Sequence, residues 1–314
     1  MFVIIGTTTV DMFISGLDTM PRLNGDEFTT ASLAYYDNPM TVTLGGNGAN
    51  SAYVLASLDV PVALCSATGQ DHLGDMVCGW LNDNNVDLRG FLRKENGTAI
   101  TTAITDRCQD RLSFYYPGYF PQYTVDQIPK ELLKNASVLL INGYALLPGL
   151  QNDDFVRLLS SAKQAGAITA MDVGPALGDP PTLAHLTALF PYLDYFIAND
   201  FEITNYIGLE SPQVLLDAGA RCVVIKRGVD GALILRGDEK IVVPGFALSA
   251  GVTIGAGDSF NAGFLCGIGQ GLSLGEAARF GNATAALVLK GGKSVLGAPT
   301  RPQVETLINS TSGQ

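Results

Sequence analysis

Gly251-Val252-Thr253-Ile254-Gly255-Ala256-Gly257-Asp258-Ser259-Phe260 runs directly into a helical pattern over Asn261–Gly271. Two glycines ahead of a helix let the backbone turn tightly and leave N–H groups pointing outward. With the helix dipole, the donors around Gly255, Ala256 and Gly257 form an anion hole suited to a transferring phosphoryl group. Asp258, a carboxylate in the first helical turn, would repel a merely bound phosphate. It makes chemical sense if it takes a proton from an attacking hydroxyl while the backbone donors stabilise the phosphoryl charge. The same residues also fit a structural role, an Asp complementing the helix dipole behind closely packed glycines.

A second glycine cluster stands far upstream, in Leu44-Gly45-Gly46-Asn47-Gly48-Ala49-Asn50-Ser51-Ala52, and leads into a helix read over Ala49–Leu58. Gly45 and Gly46 suit a hinge or a close approach of backbone to ligand, and Asn50 offers both a donor and an acceptor to a polyol. A plain glycine-rich strand-to-helix turn is the competing reading. Gly-x-Gly-x-x-Gly fits no register here, which disfavours a dinucleotide-dependent dehydrogenase. Asp11, five residues after Gly6, is placed either to accept hydrogen bonds from two adjacent sugar hydroxyls or to cap a turn. Gly292-Lys293-Ser294 imitates the end of a P-loop, but the required upstream glycine position is Leu287, so that motif is absent. His72 and His185 lie far apart, without metal-ligand spacing, and read as structural or surface residues.

Bulk properties narrow the class. The chain has 314 residues, 47% of them hydrophobic and 16% charged, as expected of a well-buried globular enzyme. Its formal charge of −11 argues against a nucleic-acid partner, although backbone amides and a metal ion can still hold a nucleotide's phosphates. No apolar run reaches the roughly 18–20 residues of a membrane helix. Phe2–Gly6 is too short for a signal sequence, lacks a basic leader, and reads as a buried first strand. Five scattered cysteines without a Cys-x-x-Cys pair support neither zinc nor disulfides, and suit reduced thiols in the cytoplasm.

Short apolar runs alternate with helix-length segments. The strands read as Phe2–Gly6, Val62–Ser66, Ser137–Ile141, Ile168–Asp172, Tyr195–Ala198 and Cys222–Lys226. The helices read as Ala49–Leu58, Leu73–Asn82, Asn152–Ala165 and Pro212–Ala218. This order predicts an α/β fold with a mainly parallel sheet, one domain over residues 1–314. Two helix-poor stretches, about 12–44 and 91–120, predict a small β-sheet lying over the ends of the core strands.

Taken in order, these motifs resemble the ribokinase, or PfkB, family of carbohydrate and nucleoside kinases, over about Phe2 to Leu307. The resemblance implies a three-layer αβα sandwich with a β-sheet lid, and transfer of the γ-phosphoryl of ATP, with Mg²⁺, to a sugar-like hydroxyl. It implies Asp258 as the catalytic base and Gly255, Ala256 and Gly257 as the anion hole. Asp11, Gly45, Gly46 and Asn50 would bind the acceptor. Asn199-Asp200-Phe201-Glu202 resembles the family's Asn-x-x-Glu element, in which Glu202 organises Mg²⁺ through water. Lys226, Gly228 and Gly231 match the nucleotide segment, with Lys226 a point charge for phosphate. Asn282 matches an asparagine near the adenine pocket. Val252 and Ile254 depart from the family's common Asp and Thr. Apolar side chains cannot replace oxygen ligands, so activation by a monovalent cation is not expected. Asn47 and Gln70 stand where many relatives carry Lys and Asp, which argues against ribose itself as the acceptor.

The expected acceptor is a small sugar. A nucleoside is the alternative, since the lid aromatics Tyr35, Tyr36, Phe114, Tyr115, Tyr116, Tyr119 and Phe120 suit stacking on a base. They equally suit lid packing or a homodimer that pairs two lid edges. A non-catalytic sugar- or nucleotide-binding protein is the reading from another class. An intact Gly-Ala-Gly-Asp run disfavours it, because a binder has no use for a carboxylate beside phosphate.

Overall fold

The computed structural model describes residues 1–20, 30–33, 36–108, 110–176, 179–247 and 255–311. In chain order the strands are β1 (Phe2–Gly6), β2 (Thr9–Leu17), β3 (Thr41–Gly45), β4 (Val62–Gly69), β5 (Phe91–Lys94), β6 (Ile100–Asp106) and β7 (Arg111–Tyr116). They continue with β8 (Val138–Asn142), β9 (Ile168–Asp172), β10 (Tyr195–Asn199), β11 (Val223–Lys226), β12 (Ala232–Arg236) and β13 (Glu239–Val243). The helices are α1 (Asn47–Ser57), α2 (His72–Asp83), α3 (Lys130–Lys134), α4 (Asn152–Gln164), α5 (Leu183–Thr187), α6 (Gln213–Asp217), α7 (Ala256–Gly269), α8 (Leu274–Gly291) and α9 (Arg301–Ser310).

Among the described residues, nine strands form one sheet in the order β13-β12-β11-β10-β9-β8-β1-β4-β5. All neighbours from β11 to β5 run parallel, and the β12–β13 hairpin closes one edge antiparallel. Buried parallel strands need apolar side chains on both faces. In β1, Phe2 and Ile4 enter the core shared with α1, α7 and α8, while Val3 and Ile5 enter the core shared with α3 and α4. Each such side chain fully buried stabilises the fold by about 1.5–3 kcal/mol. The result is the expected three-layer αβα sandwich.

The lid is a second sheet of β3-β2-β6-β7. Its bounds differ from the expected stretches. It starts at Thr9 rather than residue 12, because β2 leaves β1 after only Thr7 and Thr8. Phe91–Lys94 pairs with β4 as the outer strand of the large sheet, so only β6 and β7 supply the lid's second half. The aromatics divide accordingly. Phe120 packs in the body against Tyr123, and the Tyr119 hydroxyl accepts from Gln127 Nε2 at 2.7 Å. Phe114 and Tyr116 alternate with Tyr115 along β7, so the first two lie on the lid's exposed face and Tyr115 on the other. Tyr36 is exposed, and Tyr35 lies outside the described residues.

Candidate active site

The parallel strands end along one rim on polar residues or glycine: Gly6 (β1), Asn142 (β8), Asp172 (β9), Asn199 (β10) and Lys226 (β11). Register aligns them, with Gly6 opposite Asn142, Asn142 opposite Asp172, and Asn199 opposite Lys226. This is the carboxyl-end rim where open α/β sheets take their ligands. Helix α7 begins at the same rim. Gly255 caps it at φ +78°, a left-handed conformation that L side chains resist, and having no side chain it offers the first-turn N–H groups no side-chain cap.

Asp258 lies in that first turn and is 8% exposed. Its Oδ2 accepts from Asn50 Nδ2 at 2.8 Å and its Oδ1 from Asn142 Nδ2 at 3.1 Å. Ser51 Oγ donates to the Asp258 carbonyl at 2.9 Å, tying α7 to α1. Burial, with the Asp172 charge added, pushes the Asp258 carboxyl up to about 7, while the Asn50 and Asn142 amides and the Lys226 ammonium oppose the rise. Asn50 was expected to offer both ends of its amide to a ligand. One of its two N–H groups goes instead to Asp258, and its Oδ1 is buried without a hydrogen-bond partner.

Lys226 meets the same helix end. Its Nζ lies 3.5 Å from where a Cβ on Gly257 would sit, and it is bonded to the Asp172 carboxylate. Burial works against this ammonium, but Asp172 and Glu202 outweigh it and hold the group above the ordinary lysine value. Glu202 is 3% exposed. Its carboxylate accepts from the Asn199 backbone N–H at 2.8 Å and from Asn199 Nδ2 at 2.9 Å, while Asn199 Oδ1 accepts from the Glu202 N–H at 2.8 Å. Burial and the Asp172 charge push the Glu202 carboxyl up to about 7. Among the described residues no group of three or more His, Cys, Asp or Glu is arranged to hold a metal ion. Asn199 holds the Glu202 carboxylate in a fixed orientation.

On the lid, Asp11 is 7% exposed and accepts from Thr9 Oγ1 at 2.6 Å. It lies in register with Thr43 on one side and with Thr101, then Tyr115, on the other. Burial and the Asp11 charge push the Tyr115 hydroxyl up to about 12. Gly45 is required by Asp11 itself: a Cβ there would fall 2.1–2.3 Å from the three carboxylate atoms. Gly46 is required by the backbone, since it sits at φ +83° and its Cβ would fall 2.6 Å from Thr7 O and Thr8 Cα.

The residues matched to the nucleotide segment converge separately. A Cβ on Gly231 would meet the Val243 carbonyl at 2.1 Å. Asn282 Nδ2 donates to the Val243 and Pro244 carbonyls at 3.3 and 3.1 Å. Asn282 thus pins the exit of β13 and shapes its surroundings through the backbone. Gly228 lies in an open turn beside them. Val252 and Ile254 lie outside the described residues.

Two rim residues escaped the sequence reading, Asn142 and Asp172. Both end an apolar run, Val138-Leu139-Leu140-Ile141-Asn142 and Ile168-Thr169-Ala170-Met171-Asp172. A polar residue closing a buried parallel strand was the signal available. Asp172 was read only as a strand end, and Asn142 fell one residue beyond the strand read as Ser137–Ile141.

A mainly parallel sheet, a β lid, an open helix N-terminus and a buried carboxylate beside it together describe a small-molecule kinase. The sequence profile of the pfkB family carbohydrate kinases matches residues 19–301, and the chain belongs to that family. The ATP-dependent ribose-1-phosphate kinase of Halopiger xanaduensis is 29% identical over 266 residues, 84% of this chain and 86% of the relative. The 2-dehydro-3-deoxygluconokinase of Bacillus subtilis is 28% identical over 281 residues, 85% and 87% of the two chains. The fold matches Arabidopsis thaliana ribokinase complexed with ribose and ATP, with a TM-score of 0.80 at 22% identity over 98% of each chain. The protein is thus a sugar or nucleoside kinase, a phosphotransferase acting on a hydroxyl group. No helix among the described residues is long and apolar enough to cross a membrane.

Proposed function

We propose that the protein transfers the γ-phosphoryl group of ATP to a hydroxyl of a small sugar or sugar-like acceptor, with Asp258 as general base. The observation that carries this reading is the Asp258 carboxylate, buried in the first turn of α7 and one residue from Gly257, where the Lys226 ammonium waits. As the acceptor O–H bond breaks, its proton goes to Asp258 and its oxygen forms the new P–O bond, while the bond from the γ-phosphorus to the bridging oxygen breaks and ADP leaves with that electron pair. The first-turn amides and Lys226 neutralise charge on the phosphoryl oxygens. Bound Mg²⁺ would supply further charge neutralisation on the phosphates, with Glu202 and Asn199 the residues to orient its water shell. Asp11 and the free Asn50 Oδ1 hold the acceptor's other hydroxyls, and the Gly228–Gly231 turn with Asn282 shapes the place of the nucleotide base.

A nucleoside acceptor has one observation in its favour, the Tyr115 ring on the same lid face as Asp11. A passive binder has none, because a carboxylate next to an anion hole weakens anion binding. In the decisive experiment Asp258→Asn loses about 10²–10⁴-fold in turnover while its thermal shift with ATP persists. Near wild-type turnover by that variant overturns the base assignment.

A further inference from the structure

Asn142, fully buried at the end of β8, has more acceptors than it can serve. Its Nδ2 lies 2.7 Å from the Asn47 carbonyl, 2.7 Å from Ser51 Oγ and 3.1 Å from Asp258 Oδ1. A side-chain amide has only two N–H bonds. Its Oδ1 accepts from Asn261 Nδ2 at 3.2 Å, which fixes the donor end of the amide. The Asn47 carbonyl can only accept, so one N–H is committed there. Ser51 sends its single proton to the Asp258 backbone carbonyl, so towards Asn142 it too can only accept. The second N–H is therefore divided between Ser51 Oγ and Asp258 Oδ1. Oδ2, by contrast, has an undivided donor in Asn50.

We propose that Asn142 is a positioning residue for proton removal, its divided N–H settling on Asp258 Oδ1 when that carboxylate is ionised and on Ser51 Oγ when it is protonated. This rests on the reading of Asp258 as the base. The acceptor's O–H bond breaks and an O–H bond forms on Asp258 Oδ1, the oxygen held less firmly. The N–H released from Oδ1 then finds a ready acceptor in Ser51, so neither protonation state leaves a buried donor unpaired. The groups facing Asp258 are Asn50 and Ser51 from α1, Asn142 from β8, Asp172 from β9, Lys226 from β11 and Glu202 from the turn after β10. The charged ones, Asp172, Lys226 and Glu202, are untouched by the variants below.

The test is the acid limb of kcat/KM against pH in two variants expected to move in opposite directions. Asn142→Leu removes the donor from the ionised carboxylate, and the limb should rise by about one pH unit, with kcat/KM at pH 7 down about fivefold. Ser51→Ala removes the competing acceptor and gives the N–H wholly to Oδ1, so the limb should fall by about half a unit. A residue that merely packs would not produce opposite shifts. If Asn142→Leu does not fold, the downward shift in Ser51→Ala carries the test alone, and its absence overturns the proposal. Asp258→Asn separates the two failures. An active Asp258→Asn enzyme sinks the base itself, whereas an inactive one beside an unmoved limb in Ser51→Ala overturns only the role of Asn142.

Discussion

Asp258 carries two opposing demands, and both are measurable. A base for a hydroxyl works best with a pKa near the working pH, and burial brings this carboxyl up to about 7. Turnover should accordingly fall as pH drops below about 7. The same shift affects folding. The group's unfolded value is about 4, so its favourable contribution is complete below pH ~4 and is lost as pH rises through about 7. Above that point the folded protein carries a buried charge that Asn would not. The melting temperature of Asp258→Asn relative to wild type should therefore be higher by about 2–4 °C at pH 8.5 than at pH 5.5, in thermal melts without ligand. An equal effect at both pH values would contradict the burial account. Asp258 was legible in the sequence because glycines, carboxylate and helix are contiguous. Asn142 and Asp172 were not, since their importance comes only from strands distant in sequence ending side by side.

The junction of β2, β3 and α1 shows how one pair of glycines serves two purposes. At Gly45 the atoms in the way of a Cβ belong to the Asp11 side chain, which can move; at Gly46 they belong to the backbone of Thr7 and Thr8, which cannot. Gly45→Ala should raise the acceptor KM about tenfold, with the ATP KM and the melting temperature nearly unchanged, because it displaces the Asp11 carboxylate. Gly46→Ala should cost the fold about 1–3 kcal/mol from strain at positive φ, with the backbone clash adding to it. Denaturant titration and steady-state kinetics on both variants check this. A large stability loss in Gly45→Ala, or an unchanged acceptor KM, would count against the role of Asp11.

Element boundaries were read with uneven success for physical reasons. Helix α1 starts at Asn47 rather than Ala49, since Asn and Gly weaken the helical pattern of its first turn. Helix α7 starts at Ala256, well before the apolar pattern from Asn261, because the small and polar residues Gly257, Asp258 and Ser259 interrupt that pattern in its first turn. The β12–β13 hairpin went unread although Gly237-Asp238 between two alternating runs is a turn signal. Strand β2 was entered late because Thr9 and Asp11 put polar side chains on its inner face.

At the scale of the whole molecule, alternation of apolar runs and helices was enough to read the sandwich, and the helix-poor stretches were enough to read the lid. Which lid face meets the ligand depends on strand register, set by pairings such as Asp11 with Thr101 and Thr101 with Tyr115. A period-two pattern with mixed Thr, Tyr and Phe on both faces does not fix that. In the proposed function the body binds the nucleotide, through α7, Lys226 and the Gly231–Asn282 cluster, and the lid and α1 bind the acceptor. ATP should therefore stabilise Asp258→Asn at least as much as wild type, by about 2.7 kcal/mol or more at a hundredfold excess over the wild-type Kd. Loss of that shift in the variant would mean that Asp258 also holds the nucleotide.

The proposed reaction is phosphoryl transfer to a small hydroxyl acceptor with Asp258 taking the proton. Coupled ADP release, run with wild type and Asp258→Asn across pentoses, ketohexoses, sugar acids and nucleosides, tests it most directly. Saturable, acceptor-dependent ADP release by the wild type on at least one of these is expected, reduced about 10²-fold or more in Asp258→Asn. Acceptor-dependent release that survives undiminished in Asp258→Asn, or none from the wild type on any acceptor, would contradict it.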